Sequence, residues 1–172
     1  MNVANVEDQV RMQVKQLAAV MRPRGWSMAT AESCTGGLIA AACTALAGSS
    51  DWFERGVVTY SNAAKTELLG VLPGLIAQHG AVSEEVALAM AGGLLVRAPV
   101  QLVLAVTGIA GPGGAVPGKP VGTVWLAWGT AAGLRAERLQ LPGDRTAVRQ
   151  AAMLAALQRL TSAALSSTQT PS

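Results

Sequence analysis

Gln101 to Val106 reads QLVLAV, and TGIAGPGG, Thr107 to Gly114, follows directly. A short, continuous apolar run closed by glycine and proline suits a strand buried on both faces. Strands of that kind belong to parallel sheets with helices packed on each side. The flanking sequence should therefore alternate between strand and helix, and it does.

Toward the N-terminus, Ser83, Glu84 and Glu85 open a helix that runs to about Val96, with its acids in the first turn. Pro73 to His79 reads as a short helical piece. Before it, Asn62 is placed to cap a helix through Leu69 that Gly70 ends. The β-branched GVVTY, Gly56 to Tyr60, reads as a strand. Thr35 to Ala47 reads as a helix stopped by Gly48, after a short strand over Trp26 to Ala31. Val6, Val10, Val14, Leu17 and Val20 or Met21 repeat at helical spacing over Val3 to Met21, and Pro23 and Gly25 end that helix. Beyond the Thr107–Pro120 loop, VGTVWLAWG and LRAERLQL read as two strands joined by a turn at Thr130–Gly133. Asp144 caps a last helix to about Ala164, and the tail SSTQTPS reads as disordered. The reading is one α/β domain over residues 1–164, with a largely parallel sheet covered on both faces and a tail from 165 to 172.

Composition narrows the class. The 172 residues carry a net charge of +3, and apolar residues make up 51%. The longest uncharged stretch, Ala98 to Gly118, holds three prolines and five glycines, so it cannot be a spanning helix. No apolar targeting segment follows the charged N-terminus, so the cytoplasm is the expected location. Basic runs interleaved with aromatics are lacking, so neither nucleic acid nor membrane is an expected partner. Cys34 and Cys43 lie nine apart within one short stretch, a poor geometry for a disulfide, and both are expected as free thiols. One histidine and two cysteines give no zinc spacing, so no metal is expected.

Ligands of open α/β sheets bind beyond the carboxyl ends of the strands. Three polar segments fall there: ESCTGG (Glu32–Gly37), TYSNAAK (Thr59–Lys65) and TGIAGPGG. Ser33 sits at a strand-to-helix turn, where backbone N–H groups can hold an oxyanion or a phosphate. It reads as a nucleophile or as a plain helix cap. Cys34 is the rival nucleophile, or simply a small buried residue. Gly36 and Gly37 would let a ligand approach the backbone. Lys65 lies in the first turn of its helix, where the macrodipole opposes its charge; that field would lower its pKa, as would burial in a cleft. It reads as a general base or as a surface lysine. Tyr60 can donate or relay a proton. His79, the lone histidine, is the alternative base. Arg145 and Arg149, four apart, can share an anion or simply face solvent. Neither glycine loop has P-loop or GxGxxG spacing, so dinucleotide binding is not supported.

AESCTGGLIA, GVVTYSNAAKTELLGV, GAVSEEVALAMA, AVTGIAGPGG, KPVGTVWLA and GDRTAVRQAA, in this order, resemble the CinA-type C-terminal domain family from about Gly25 to Leu160. The resemblance implies a three-layer α/β/α fold with a mixed, mostly parallel five-stranded sheet. It implies hydrolysis of the carboxamide of nicotinamide mononucleotide to nicotinate mononucleotide and ammonia, with no cofactor. The family's serine, tyrosine and lysine fall on Ser33, Tyr60 and Lys65, and its glycine-loop threonine falls on Thr107. Thr35, Gly36, Gly37, Thr107, Gly108, Gly111, Gly113 and Arg145 are then the candidate substrate-binding residues. Longer members place a molybdopterin-binding-like domain ahead of this one, so the chain is expected as a stand-alone amidase. A homo-oligomer, dimer or larger, is expected from the family and from the apolar composition. The competing readings are a non-catalytic nucleotide-binding or regulatory module and a metal-dependent hydrolase.

Overall fold

A computed structural model describes residues 3–167, with side chains from Val6 onward. Its strands are β1 (Met28–Glu32), β2 (Phe53–Val58), β3 (Leu102–Gly108), β4 (Thr123–Thr130) and β5 (Gly133–Gln140). Its helices are α1 (Val3–Met21), α2 (Leu38–Thr44), α3 (Asn62–Leu69), α4 (Pro73–His79), α5 (Glu84–Arg97) and α6 (Arg145–Ser166). The sheet order is β2-β1-β3-β4-β5, so the QLVLAV strand is the central one. β1 pairs parallel with β2 and β3, and β4 is antiparallel to both β3 and β5. Four of the five strands therefore point the same way, and the carboxyl ends of β1, β2 and β3 share one edge.

Alternation along β3 builds the two cores. Leu102, Leu104 and Val106 face a layer made by α1, α2 and α6, with Val10, Leu17, Ile39, Val148 and Leu157. Val103 and Ala105 face α3, α4 and α5, with Leu69, Ile76, Met90 and Leu94. The result is a three-layer α/β/α fold. Gly93 lets α5 approach α3 closely: a Cβ there would lie 2.1 Å from the Leu69 carbonyl oxygen.

Several boundaries differ from the sequence reading. β1 starts at Met28 and takes in Glu32, which puts that carboxylate at the strand end. α2 begins at Leu38, not Thr35, because Gly36 and Gly37 adopt φ of +61° and +98°, outside the helical region. Cys34–Gly37 is a turn instead. β2 ends at Val58, leaving Thr59 and Tyr60 beyond it. Ser61, not Asn62, caps α3: its Oγ accepts from Ala64 N at 3.0 Å. The expected caps Ser83, Asp144 and Gly70 are where the sequence puts them. α6 continues to Ser166, so the helix enters the stretch read as tail; positions 168–172 of that tail lie outside the described residues.

Candidate active site

The turn after β1 carries Ser33, and α3, following β2, carries Lys65. Lys65 Nζ lies 3.1 Å from Ser33 Oγ. Both are buried, at 1% exposure for Lys65 and 8% for Ser33. The same Nζ donates to the Thr59 carbonyl at 2.8 Å and to the Tyr60 carbonyl at 3.4 Å. Carbonyls only accept, whereas a hydroxyl can donate or accept. A neutral amine would spend its two N–H groups on the carbonyls and turn its lone pair to Ser33 Oγ–H. Burial holds the Lys65 pKa below the ordinary lysine value, against a smaller upward push from Cys34. Of the two causes the sequence offers, the helix dipole and burial in a cleft, burial is the one at work. With Ser61 as cap, Lys65 is the fourth helical residue, and its own amide is already bonded to the Ser61 carbonyl.

Cys34 is buried, and desolvation pushes its thiol up to about 11, so it stays protonated near neutral pH. Cys43 is likewise buried and free, pushed up to about 12. His79 pairs through Nδ1 with Glu85 Oε1 at 3.1 Å and is not hydrogen-bonded to Ser33.

Most amides of the Ser33 turn are committed. Ser33 N donates to the Val106 carbonyl and Gly36 N to the Ser33 carbonyl. Glu32, 1% exposed, takes Gly37 N and Ile39 N on Oε2 at 3.1 Å each, and Ala40 N on Oε1 at 2.8 Å. Thr35 Oγ1 also donates to Glu32 Oε2, at 2.7 Å. The amides of Gly36 and Gly37 are thus not free as donors to a ligand. Among the described residues, the Cys34 and Thr35 amides make no hydrogen bond to an oxygen.

Across the sheet, the register pairing Glu32 with Val106 sets Thr107 beside Ser33. Its hydroxyl is engaged, donating to the Ala81 carbonyl at 2.8 Å. Gly108 is a packing glycine: a Cβ would meet Val124 Cγ2 at 2.7 Å and Cys34 Sγ at 3.0 Å. In the loop that follows, Gly111 has φ +85° and its carbonyl accepts from Arg145 Nη1 at 2.9 Å. Gly113 has open space around its α-carbon, and its amide has no partner among the described residues.

Arg145 also donates through Nη2 to the Tyr60 phenol oxygen at 2.9 Å. It thereby links the loops after β2 and β3, both at the edge that carries Ser33. Tyr60 is 59% exposed, and its phenol is hydrogen-bonded to neither Ser33 nor Lys65. Arg149, one turn on, donates to the Thr35 carbonyl at 3.0 Å, and its buried Nε has no partner. The sequence reading gave Glu32 no role. The signal available was a carboxylate six residues ahead of a helix start, with a Gly-Gly pair between to fold it back.

Other concavities lie elsewhere. Three, of about 360, 580 and 230 Å³, are lined by residues other than Ser33, Lys65, Tyr60 and Arg145. Among the described residues no helix is long and apolar enough to cross a membrane, and no three of His, Cys, Asp and Glu gather as a metal cluster.

The CinA C-terminal domain profile matches residues 11–164. The chain is 50% identical over 153 residues to the nicotinamide-nucleotide amidohydrolase PncC of Pseudomonas putida, covering 89% of this chain and 96% of that protein. It is 53% identical over 156 residues to a CinA-like protein of Geobacter sp. (strain M21), covering 91% of this chain and 38% of that longer protein. The crystal structure of the competence/damage inducible protein CihA from Agrobacterium tumefaciens superposes with a TM-score of 0.87 at 42% identity, covering 90% of this chain and 94% of that one. Its sequence and its fold together place the chain in the CinA C-terminal domain family.

Proposed function

We propose that this chain is a nicotinamide-nucleotide amidohydrolase, converting nicotinamide mononucleotide and water to nicotinate mononucleotide and ammonia through a Ser33 nucleophile and a Lys65 base. The observation that carries the mechanism is the 3.1 Å contact between Lys65 Nζ and Ser33 Oγ, with the other two polar contacts of Nζ both carbonyls. The substrate follows from the relatives named nicotinamide-nucleotide amidohydrolase, at about half identity over most of both chains.

In the first half-reaction Lys65 takes the Ser33 hydroxyl proton while Oγ bonds to the carboxamide carbon. The carbonyl π pair moves to oxygen, and the Cys34 and Thr35 amides meet the oxyanion. Lys65 returns the proton to the amide nitrogen, the C–N bond breaks, and ammonia leaves a nicotinoyl ester on Ser33. In the second half, Lys65 takes a proton from water, the hydroxide oxygen adds to the ester carbon, and Ser33 leaves and is reprotonated. No step needs a metal or a redox partner.

The phosphate is assigned to the Gly111–Gly114 loop and Arg145. The amide of Gly113 is free, and Arg145 brings a cation to the same loop. Tyr60, held by Arg145, acts on the substrate rather than as a proton relay to Lys65. Ammonia release from nicotinamide mononucleotide tests the function, run with and without strong chelator. Equal release in both supports this reading. Tight binding of the nucleotide without ammonia would instead make the chain a binding module, and loss of activity in chelator would make it a metal-dependent hydrolase.

A further inference from the structure

We propose that Glu32 is a positioning residue for the Ser33 reaction: its buried carboxylate clamps the turn so that the Cys34 and Thr35 amides are the donors left for the oxyanion. The inference rests on the Ser33 mechanism above, not on the identity of the amide. Glu32 is 1% exposed and is the residue before the nucleophile. Its two oxygens accept five hydrogen bonds: three from the amides of Gly37, Ile39 and Ala40 and one from the Thr35 hydroxyl, at 2.7 to 3.1 Å, and a longer one of 3.5 Å from the Thr30 hydroxyl.

Those three amides lie at the start of α2, where unpaired N–H groups and the helix dipole would otherwise attract an anion. With Glu32 in place, those amides are taken and a reacting oxyanion finds no donor there. The capacity for an anion is thus confined to the two residues directly after Ser33. Thr35 is also held at both ends, its hydroxyl on Glu32 at 2.7 Å and its carbonyl on Arg149 Nη2 at 3.0 Å. A donor fixed before reaction spends no free energy reorienting as charge develops. A plain helix cap would need only one such acceptor bond, usually from a short Ser, Thr, Asp or Asn side chain.

Glutamine cannot reproduce the clamp. It offers one oxygen and one NH2 group, so either the Ala40 N–H or the Gly37 and Ile39 N–H groups would face another donor. The test compares wild type, Glu32→Gln and the milder Thr35→Val at a temperature where circular dichroism shows each fully folded. One readout is the kcat and KM of ammonia release. The second is the rate of Ser33 labelling by a small fluorophosphonate, whose phosphoryl oxygen uses the same donors, taken to one label per chain.

For Glu32→Gln, kcat should fall about 10²-fold or more, as when an oxyanion donor is lost, with KM within about threefold. The labelling rate should fall in parallel while the final stoichiometry stays at one. Thr35→Val should show the same pattern at about tenfold, because it removes the hydroxyl bond to Glu32 while leaving the Thr35 amide in place, and it carries the test if Glu32→Gln does not fold. A folded variant that keeps more than a third of wild-type kcat, or that loses kcat with an unchanged labelling rate, overturns the proposal. If wild type is labelled at Ser33 but releases no ammonia, the substrate assignment fails, and the labelling rates alone decide the role of Glu32.

Discussion

Replacing Lys65 by methionine removes one nitrogen from a nearly isosteric, fully buried chain. Lys65 is the residue whose side chain is hydrogen-bonded to Ser33 Oγ, and His79 is held by Glu85. With no second base in reach, the loss should approach the upper range for general-base removal, about 10³-fold in kcat. That corresponds to about 4 kcal/mol of barrier. The structural cost is smaller. The Thr59 and Tyr60 carbonyls lose a donor, and an unsatisfied buried acceptor costs about 1–3 kcal/mol. Relief of the buried amine offsets part of this, so Tm should move by no more than a few degrees. Lys65→Arg is a poor control, because at 1% exposure the site has no room for a guanidinium. The assay is ammonia release from nicotinamide mononucleotide, with a thermal melt on the same sample. A folded Lys65→Met enzyme keeping more than a tenth of wild-type kcat would refute Lys65 as the base.

The pH dependence has a fixed sign. Protonated Lys65 cannot accept the Ser33 proton, so kcat/KM should rise with pH through a pKa below the ~10.4 of a free lysine; a rise centred at or above that value would contradict this. Because that pKa is lower in the folded than in the unfolded chain, the unfolded state binds more protons between the two values. Stability should therefore rise with pH across that window, and Lys65→Met should lose that component of the Tm–pH curve. Arg145→Ala should raise KM for the mononucleotide at least tenfold while leaving turnover of nicotinamide riboside, which lacks the phosphate, nearly unchanged; equal effects on both would remove Arg145 from the phosphate. Gly93→Ala forces a Cβ to within 2.1 Å of the Leu69 carbonyl oxygen. It should cost about 1–3 kcal/mol by overpacking, read as a lower Tm, and an unchanged Tm would show that α3 shifts freely.

The sequence shows much of the frame because local chemistry decides it. α1 and α4 have the bounds that spacing predicts, and Ser83, Asp144 and Gly70 terminate their helices as their side chains or φ values require. β3 is central because an unbroken apolar run has no polar face to expose. The site was legible as a set of segments, not as contacts. Gly36 and Gly37 break the helix rather than extend it, and Glu32 folds back onto the start of α2, a local contact that helical spacing alone does not mark. Lys65 looks like a surface residue of a weakly amphipathic helix, yet it is buried with its Nζ on Ser33 Oγ and the Thr59 carbonyl. The Arg145–Tyr60 bond joins residues 85 apart in the chain, and no local pattern marks it.

The identity of the nucleophile is the center of the account, and Ser33→Ala measured beside Cys34→Ala tests it most directly. Both side chains sit on the same turn, and both replacements are small. Ammonia release from nicotinamide mononucleotide should fall by about 10³-fold or more for Ser33→Ala, as for other catalytic serines. Cys34→Ala should keep most of the wild-type kcat, because its buried thiol is held protonated near neutral pH and Lys65 is hydrogen-bonded to Ser33 Oγ instead. An active Ser33→Ala enzyme with an inactive, folded Cys34→Ala enzyme would assign the chemistry to the thiol and contradict the Ser33–Lys65 mechanism.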